Sequence, residues 1–314
     1  MHCLVTGASG YIGEALVAAL LERDCVVTAH CGRGPSTAEK DVRMLEMQGE
    51  LGNIDASALH GVDCVFHLAA IAHQGAEASD YRRVNVDASL ALARRALEAG
   101  VARFVFFSSV KAALRQPPAV EELDYARSKA LAEEQLEALC RDHQSMRLVI
   151  VRPALVYGGS EKGNLKLLDR WVRWHLPRPP AGGARSLVAR SDVIELALRL
   201  LDSSEDETPS VVVLSDGEAY TTRRLHLALC RSLGRHPWFP APPPFVWRAV
   251  CNFIDVLRRA PRGASWQRLA GDELYPSEGL NGLGFVPRHS FESALGLGDG
   301  PIRPAASISG REGP

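Results

Sequence analysis

The sequence lacks an excess of either charge. Its 36 lysines and arginines face 37 aspartates and glutamates, for a net charge of -1, which gives no electrostatic reason to expect a nucleic-acid partner. It lacks any C-x-x-C pair: seven cysteines lie scattered, mostly inside apolar runs, and read as reduced, buried thiols of a cytosolic protein, with neither a disulfide framework nor a zinc site. It lacks an apolar run long enough to span a membrane. The best candidate, "FVWRAVCNFIDVL" from Phe245 to Leu257, is short and carries Arg248 and Asp255, so it reads as a core or interfacial helix. The first apolar run is broken by glycines and has no basic leader, so no signal peptide is expected. H-E-x-x-H, G-x-S-x-G and G-x-x-x-x-G-K-[ST] are all missing, which removes the commonest zinc-protease, α/β-hydrolase and P-loop signatures.

What is present alternates. "HCLVT", "CVVTAH", "DCVFHLAA", "RFVFFSS", "MRLVIVRP" and the late "SVVVLSD" are short, nearly wholly apolar runs. Between them Tyr11 to Arg23, Tyr81 to Ala99 and Tyr125 to Arg141 show helical periodicity. Strands apolar on both faces and separated by helices call for a parallel sheet covered on both sides, so the chain predicts an α/β, doubly wound (Rossmann) fold. The regularity fades after Tyr157. "LPRPPAGGAR" reads as a loop, Ser191 to Asp202 as a helix and "HPWFPAPPPF" as a rigid connection. The expected division is a dinucleotide-binding domain over 1-155 and a smaller, interleaved substrate region over 156-295 with elements returning to the sheet. A glycine-, proline- and serine-rich tail over 296-314 is expected to be disordered.

Three stretches carry chemistry. In "TGASGYIG" the glycines Gly7, Gly10 and Gly13 fall between strand and helix, where they supply a tight turn, room for a pyrophosphate and close helix packing. In "YARSK", Tyr125 and Lys129 are four apart on one helical face. A phenol ionises near pH 10 when free, and an ammonium one turn away stabilises its phenolate. In "FFSSV", Ser108 and Ser109 end the strand that precedes this helix, so Ser109 is placed to hydrogen-bond a substrate hydroxyl. The plainer readings are a packed turn, a solvated helix face and a hydroxyl cap.

Taken in order, "TGASGYIG", "FHLAA", "VNVD", "FFSSV", "YARSK" and "RPALVYG" resemble the extended short-chain dehydrogenase/reductase family, in its NAD-dependent epimerase/dehydratase branch, with the UDP-hexose 4-epimerases and related 4-keto-sugar reductases as the nearer likeness. The resemblance implies an NAD cofactor, with NADP as an option. It implies a nucleotide-sugar substrate, a cytoplasmic homodimer built on the helices at 81-99 and 125-141, and a place in polysaccharide precursor synthesis. It assigns Ser109, Tyr125 and Lys129 as the catalytic set. To the cofactor it gives the turn from Gly7 through Ser9, Gly10, Tyr11 and Ile12 to Gly13. Glu50 and Leu51 are assigned to the adenine end, and Leu68, Ala69, Ala70, Asn85, Ser108 and Pro153 to the cleft. Substrate falls to Ser109, Asn164 and Arg185. His67 reads as a strand-end histidine satisfied by backbone.

The sequence departs from the family pattern in three places. The segment from Ser109 to Tyr125 is short, Asp124 stands where relatives carry proline, and "TAHCGR" has no acid to grip a ribose, so that His30 and Arg33 leave room for a 2′-phosphate. Val110-Lys111 replaces the Asp-Glu pair of a sugar 4,6-dehydratase, which argues against that reaction. Three functions follow: a 4-epimerase working through a transient 4-keto sugar, a 4-keto nucleotide-sugar reductase, and a non-catalytic NAD(P)-binding sensor or scaffold.

Overall fold

The computed structural model describes residues 1-32, 43-72, 76-113, 120-143, 145-159, 163-204, 209-236, 242-257 and 260-298. In chain order its strands are β1 (His2–Thr6), β2 (Val26–Cys31), β3 (Met44–Gln48), β4 (Cys64–His67), β5 (Arg103–Phe107), β6 (Arg147–Pro153), β7 (Leu155–Tyr157), β8 (Ala184–Arg185), β9 (Leu187–Ala189), β10 (Val211–Leu214) and β11 (Tyr220–Thr221). The helices are α1 (Gly13–Glu22), α2 (Ala78–Tyr81), α3 (Ala88–Glu98), α4 (Val120–Asp142), α5 (Gly163–Arg173), α6 (Arg190–Asp202), α7 (Thr222–Ser232), α8 (Pro244–Leu257), α9 (Ala264–Ala270) and α10 (Phe291–Ala294). The chain forms two compact units. The first comprises Met1–Pro153, Val193–Leu214 and Glu278–Val286; the second comprises Ala154–Asp192, Ser215–Ser277 and the residues from Pro287.

The first unit is built on a seven-stranded sheet in the order β10-β6-β5-β4-β1-β2-β3, parallel throughout. The apolar runs dictate this: Phe104, Val105, Phe106 and Phe107 of β5, like Val149, Ile150 and Val151 of β6, are buried on both faces, and only helices on both sides can cover such strands. From β1 the strands run outward through β2 to β3, and from β4 the other way to β10. The strand order therefore reverses between β1 and β4, and ligands of doubly wound sheets bind at the carboxyl ends of the strands at such a point.

Several elements depart from the sequence expectation: α4 begins at Val120, five residues before the expected Tyr125, and Ala184 and Arg185, at the end of the expected loop, form β8. β3 adds an edge strand, which its half-exposed pattern conceals. The helix expected over Tyr81 to Ala99 is interrupted: α2 runs into a π-helical turn, Arg82–Asp87, before α3 begins. Such wide turns are rare and concentrate at functional sites. All seven cysteines are free thiols, and burial pushes Cys3 up to about 12.

The second unit pairs β7 with β9 in parallel and β8 with β11 in antiparallel fashion. Its core gathers Tyr157, Leu187, Tyr220, Leu225, Leu229 and Phe291. Within it the buried Asp216 accepts from the Tyr220 hydroxyl at 2.7 Å and from the backbone of Glu218 at 3.0 Å. Burial raises this carboxyl to about 7, against those hydrogen bonds.

Candidate active site

The glycine turn connects β1 to α1. Gly7 sits at φ +69°, open to glycine at no steric cost, and its carbonyl accepts from the Gly10 amide at 2.9 Å. A Cβ on Gly7 would approach the Ala69 backbone nitrogen to 2.9 Å. One on Gly10 would meet the Gly7 carbonyl at 2.9 Å, and one on Gly13 would collide with Gly7 and Ala8. Each glycine is thus demanded by the turn's own backbone, and Gly7 also lets the loop after β1 rest on the Leu68–Ala70 segment after β4. Ile12 provides no side-chain cap for α1, the Glu14 amide donates to the Gly10 carbonyl at 3.0 Å, and the helix N-terminus at this turn favours an anion through its dipole.

Gly10→Val is therefore expected to lower affinity for NAD by about tenfold or more and the thermal midpoint by a few degrees, because its branched side chain must first open the turn. Calorimetric titration and a thermal scan check this. A lower affinity with an unchanged midpoint would mean that the added carbons only occupy ligand space.

His67, at the end of β4, is satisfied by side-chain hydroxyls, not by backbone as the sequence suggests. Its Nδ1 lies 2.6 Å from Thr6 Oγ1 and its Nε2 2.7 Å from Ser89 Oγ. The Ser89 hydroxyl donates to the Asn85 carbonyl at 2.9 Å, so Nε2 carries the proton and Nδ1 accepts from Thr6. Burial, followed by the charges of Lys129 and His30, pushes the imidazole down to about 3. It is a neutral brace, not a base. Thr6 Oγ1 in turn accepts from the Ala69 amide at 3.3 Å, so the brace positions the segment against which Gly7 packs.

Asn85, in the π turn, is fully buried. Its side chain accepts from the Ile71 amide at 2.8 Å and donates to the Ile71 carbonyl at 3.1 Å and to Ser128 Oγ at 3.0 Å. Ser128 then donates to the Tyr125 carbonyl at 2.8 Å. Asn85 therefore acts by fastening the loop after β4 to the helix that carries Tyr125 and Lys129.

On α4 the buried stripe runs through Ala126, Lys129, Ala132 and Glu133. Lys129 Nζ donates to the Phe107 carbonyl at 2.8 Å and stands 4.5 Å from the Phe106 ring centroid. This anchors the helix to the end of β5, next to Ser108 and Ser109. Burial draws the ammonium down to about 7, with Glu133 pulling the other way. Glu133 is itself held by Arg152, whose Nε donates to it at 3.0 Å. Tyr125, one turn before Lys129, is half-buried, its ring edge-on to Tyr81 with centroids 6.4 Å apart.

Ser109 is half-buried, and its Oγ accepts from the Lys111 amide at 3.3 Å while its carbonyl accepts from Ala112 at 3.0 Å. It opens the short 3-10 turn Val110–Ala113, as a capping hydroxyl does. Ser108 Oγ is buried without a hydrogen-bond partner. An unpartnered buried hydroxyl at a strand end, a glycine turn at the switch point and an uncapped helix start fit a dinucleotide.

The other assigned residues fall as follows. Pro153 ends β6, paired with Leu214. Leu51 is buried, while the exposed Glu50 lies 3.6 Å from Arg83 in an ion pair. Asp124 is exposed and adds to burial in raising the Tyr81 phenol. In the second unit the Arg185 guanidinium donates to the Arg268 carbonyl, and Asn164 stands in the first turn of α5. Arg33 and residues 114–119 of the short connection before Tyr125 lie outside the described residues. His30 is buried, and burial lowers its imidazole against a backbone hydrogen bond with Gly49. Ser128, Thr6, Ser89 and the Glu133–Arg152 pair escape the sequence reading because hydroxyls and ion pairs inside a helix or strand carry no motif.

The parallel sheet, with its glycine turn at the switch point, is that of a dinucleotide-binding α/β domain. Residues 3–215 match the NAD dependent epimerase/dehydratase family. A UDP-glucose 4-epimerase of Vibrio cholerae is 33% identical over 269 residues, covering 78% of this chain and 79% of that protein. A 2-alkyl-3-oxoalkanoate reductase of Stenotrophomonas maltophilia is 29% identical, covering 94% of this chain and 97% of its own. Among solved structures, MoeE5 in complex with UDP-glucose and NAD superposes with a TM-score of 0.73 at 22% identity, over 95% of this chain and 97% of that one. The UDP-glucose 4-epimerase of Thermotoga maritima gives 0.71 at 22% identity over the same shares. The chain belongs to the NAD dependent epimerase/dehydratase family.

Proposed function

We propose that this protein is an NAD-dependent 4-epimerase of a UDP-hexose type nucleotide sugar. The observation that carries the reading is the anchoring of α4 on the end of β5 through Lys129 and the Phe107 carbonyl, in a chain one-third identical to a UDP-glucose 4-epimerase. NAD, held by the Gly7–Gly13 turn, Ser108 and Lys129, would supply the hydride acceptor and donor at the sugar C4. Tyr125 takes the proton of the 4-hydroxyl, directly or through Ser109, and returns it after the 4-keto sugar has turned over. Lys129 sets the charge beside the phenol. Asn164 and Arg185 are the candidates for the nucleotide diphosphate, a remote handle on which binding energy is spent to keep the intermediate from escaping. The working form is a cytoplasmic homodimer packed through α3 and α4.

Incubation with UDP-glucose, UDP-galactose and their N-acetylated counterparts, with products separated by ion-exchange chromatography, tests this. Interconversion without net cofactor consumption is expected for at least one pair. The reductase reading draws on the similarity to the oxoalkanoate reductase. Stoichiometric oxidation of reduced nicotinamide by a keto substrate, with no interconversion, would replace the epimerase by it.

A further inference from the structure

Helix α8 presents its apolar residues outward. Trp247, Cys251 and Asp255, one per turn, are its buried residues. The Trp247 and Trp171 ring centroids are 5.6 Å apart, and Asp255 accepts from the Gly263 and Ser265 amides at 2.8 and 3.0 Å. At about 100° per residue the opposite face consists of Phe245, Val246, Ala249, Phe253 and the terminal Val256 and Leu257, all apolar, with Val250 and the exposed Asn252 at its two edges. Phe245 is 71%, Phe253 64% and Leu257 68% exposed. A surface helix of a soluble domain normally shows the reverse.

Within α8 the charged residues are Arg248 and Asp255, and only Arg248 is exposed, since Asp255 is fully buried. Arg248 flanks the apolar face, its guanidinium 5.2 Å from the Trp266 ring centroid, and Arg262 is exposed on the connection to α9.

We propose that α8 docks this protein onto an anionic lipid surface, its outward Phe245, Phe253 and Leu257 entering the acyl boundary and Arg248 and Arg262 meeting the headgroups. A second copy is the weaker occupant, because self-pairing of this face would bring like-charged rims together. A lipid surface offers apolar depth and negative charge at once and demands no matching groove.

Sedimentation of the full-length protein with vesicles of phosphatidylcholine, alone or mixed with phosphatidylglycerol, is the test. Partitioning onto the mixed vesicles is expected to be about tenfold stronger or more, to weaken with salt and to fall about tenfold in Phe253→Ser. Arg248→Glu with Arg262→Glu should remove the preference for anionic vesicles. Because these side chains are exposed, all variants should keep the parent's thermal midpoint. Equal partitioning on both vesicle types, binding to neither, or light scattering that shows a dimer dissociated by Phe253→Ser would each overturn the proposal.

Discussion

Tyr125→Phe is expected to lower turnover by roughly 10²- to 10⁴-fold, the range spanned by loss of a positioned general acid-base group. Cofactor affinity should stay within about twofold of the parent. The reason for the split is geometric. The aromatic ring supplies the edge-on contact with Tyr81, and phenylalanine keeps that ring. Tyr125 joins the Asn85–Ser128 tether through its carbonyl, which the substitution leaves untouched. Initial rates with the preferred nucleotide sugar, set beside a calorimetric titration with NAD, separate the two effects. Retention of most of the turnover would remove Tyr125 from the proposed acid-base role. A parallel loss of affinity would point to a displaced helix.

Lys129→Met should divide function from stability even more sharply. Turnover is expected to fall by about a hundredfold or more, while the apoprotein becomes more resistant to heat. The folded lysine titrates near 7, with burial as the leading cause, against 10.5 for the free group. Well above pH 10.5 neither state holds the proton and the burial costs nothing. As pH falls from 10.5 toward 7 the unfolded chain takes up a proton that the folded chain refuses, so the folded state loses stability through that window. Below 7 both states are charged and the penalty is constant. Its ceiling is several kcal/mol at ~1.4 kcal/mol per unit, reduced by the lost hydrogen bond to Phe107, worth ~1–3 kcal/mol.

The advantage of the variant over the parent should therefore grow as the buffer is lowered from pH 10 to 7 and then level off. Thermal midpoints of both proteins at pH 6, 7 and 9.5 suffice to show it. If the two pH profiles run parallel, or the variant melts earlier at pH 7, Lys129 carries no such penalty.

Most of the sheet is legible in the sequence because burial on both faces leaves an unbroken apolar run, as in "RFVFF". β3 is not, since Glu46 and the exposed Leu45 give an edge strand the composition of a loop. The π turn is hidden for a different reason: six residues are too few to register a change of helical period. Glycines and the Tyr125–Lys129 spacing announce themselves because the backbone and the helix repeat restrict them locally. The contacts of His67 do not, because its partners Thr6 and Ser89 lie 61 and 22 residues away in sequence. Asn85 is read from the sequence as a cleft residue. Its contacts with Ile71 and Ser128 add a tether, which no local pattern reveals.

The pairing of β10 with β6 sets a constraint on biosynthesis. When a ribosome has delivered Pro153, six strands can assemble, yet one flank of β6 still has no neighbour. Its mate arrives about sixty residues later, well after β6, and the antiparallel bridge between Glu278 and Val213 later still. A nascent chain held at that stage exposes a bare, apolar sheet margin, the kind of surface that recruits other chains. Cutting the gene after residue 155 would make that transient state permanent, and the fragment is expected to self-associate through the bare edge of β6.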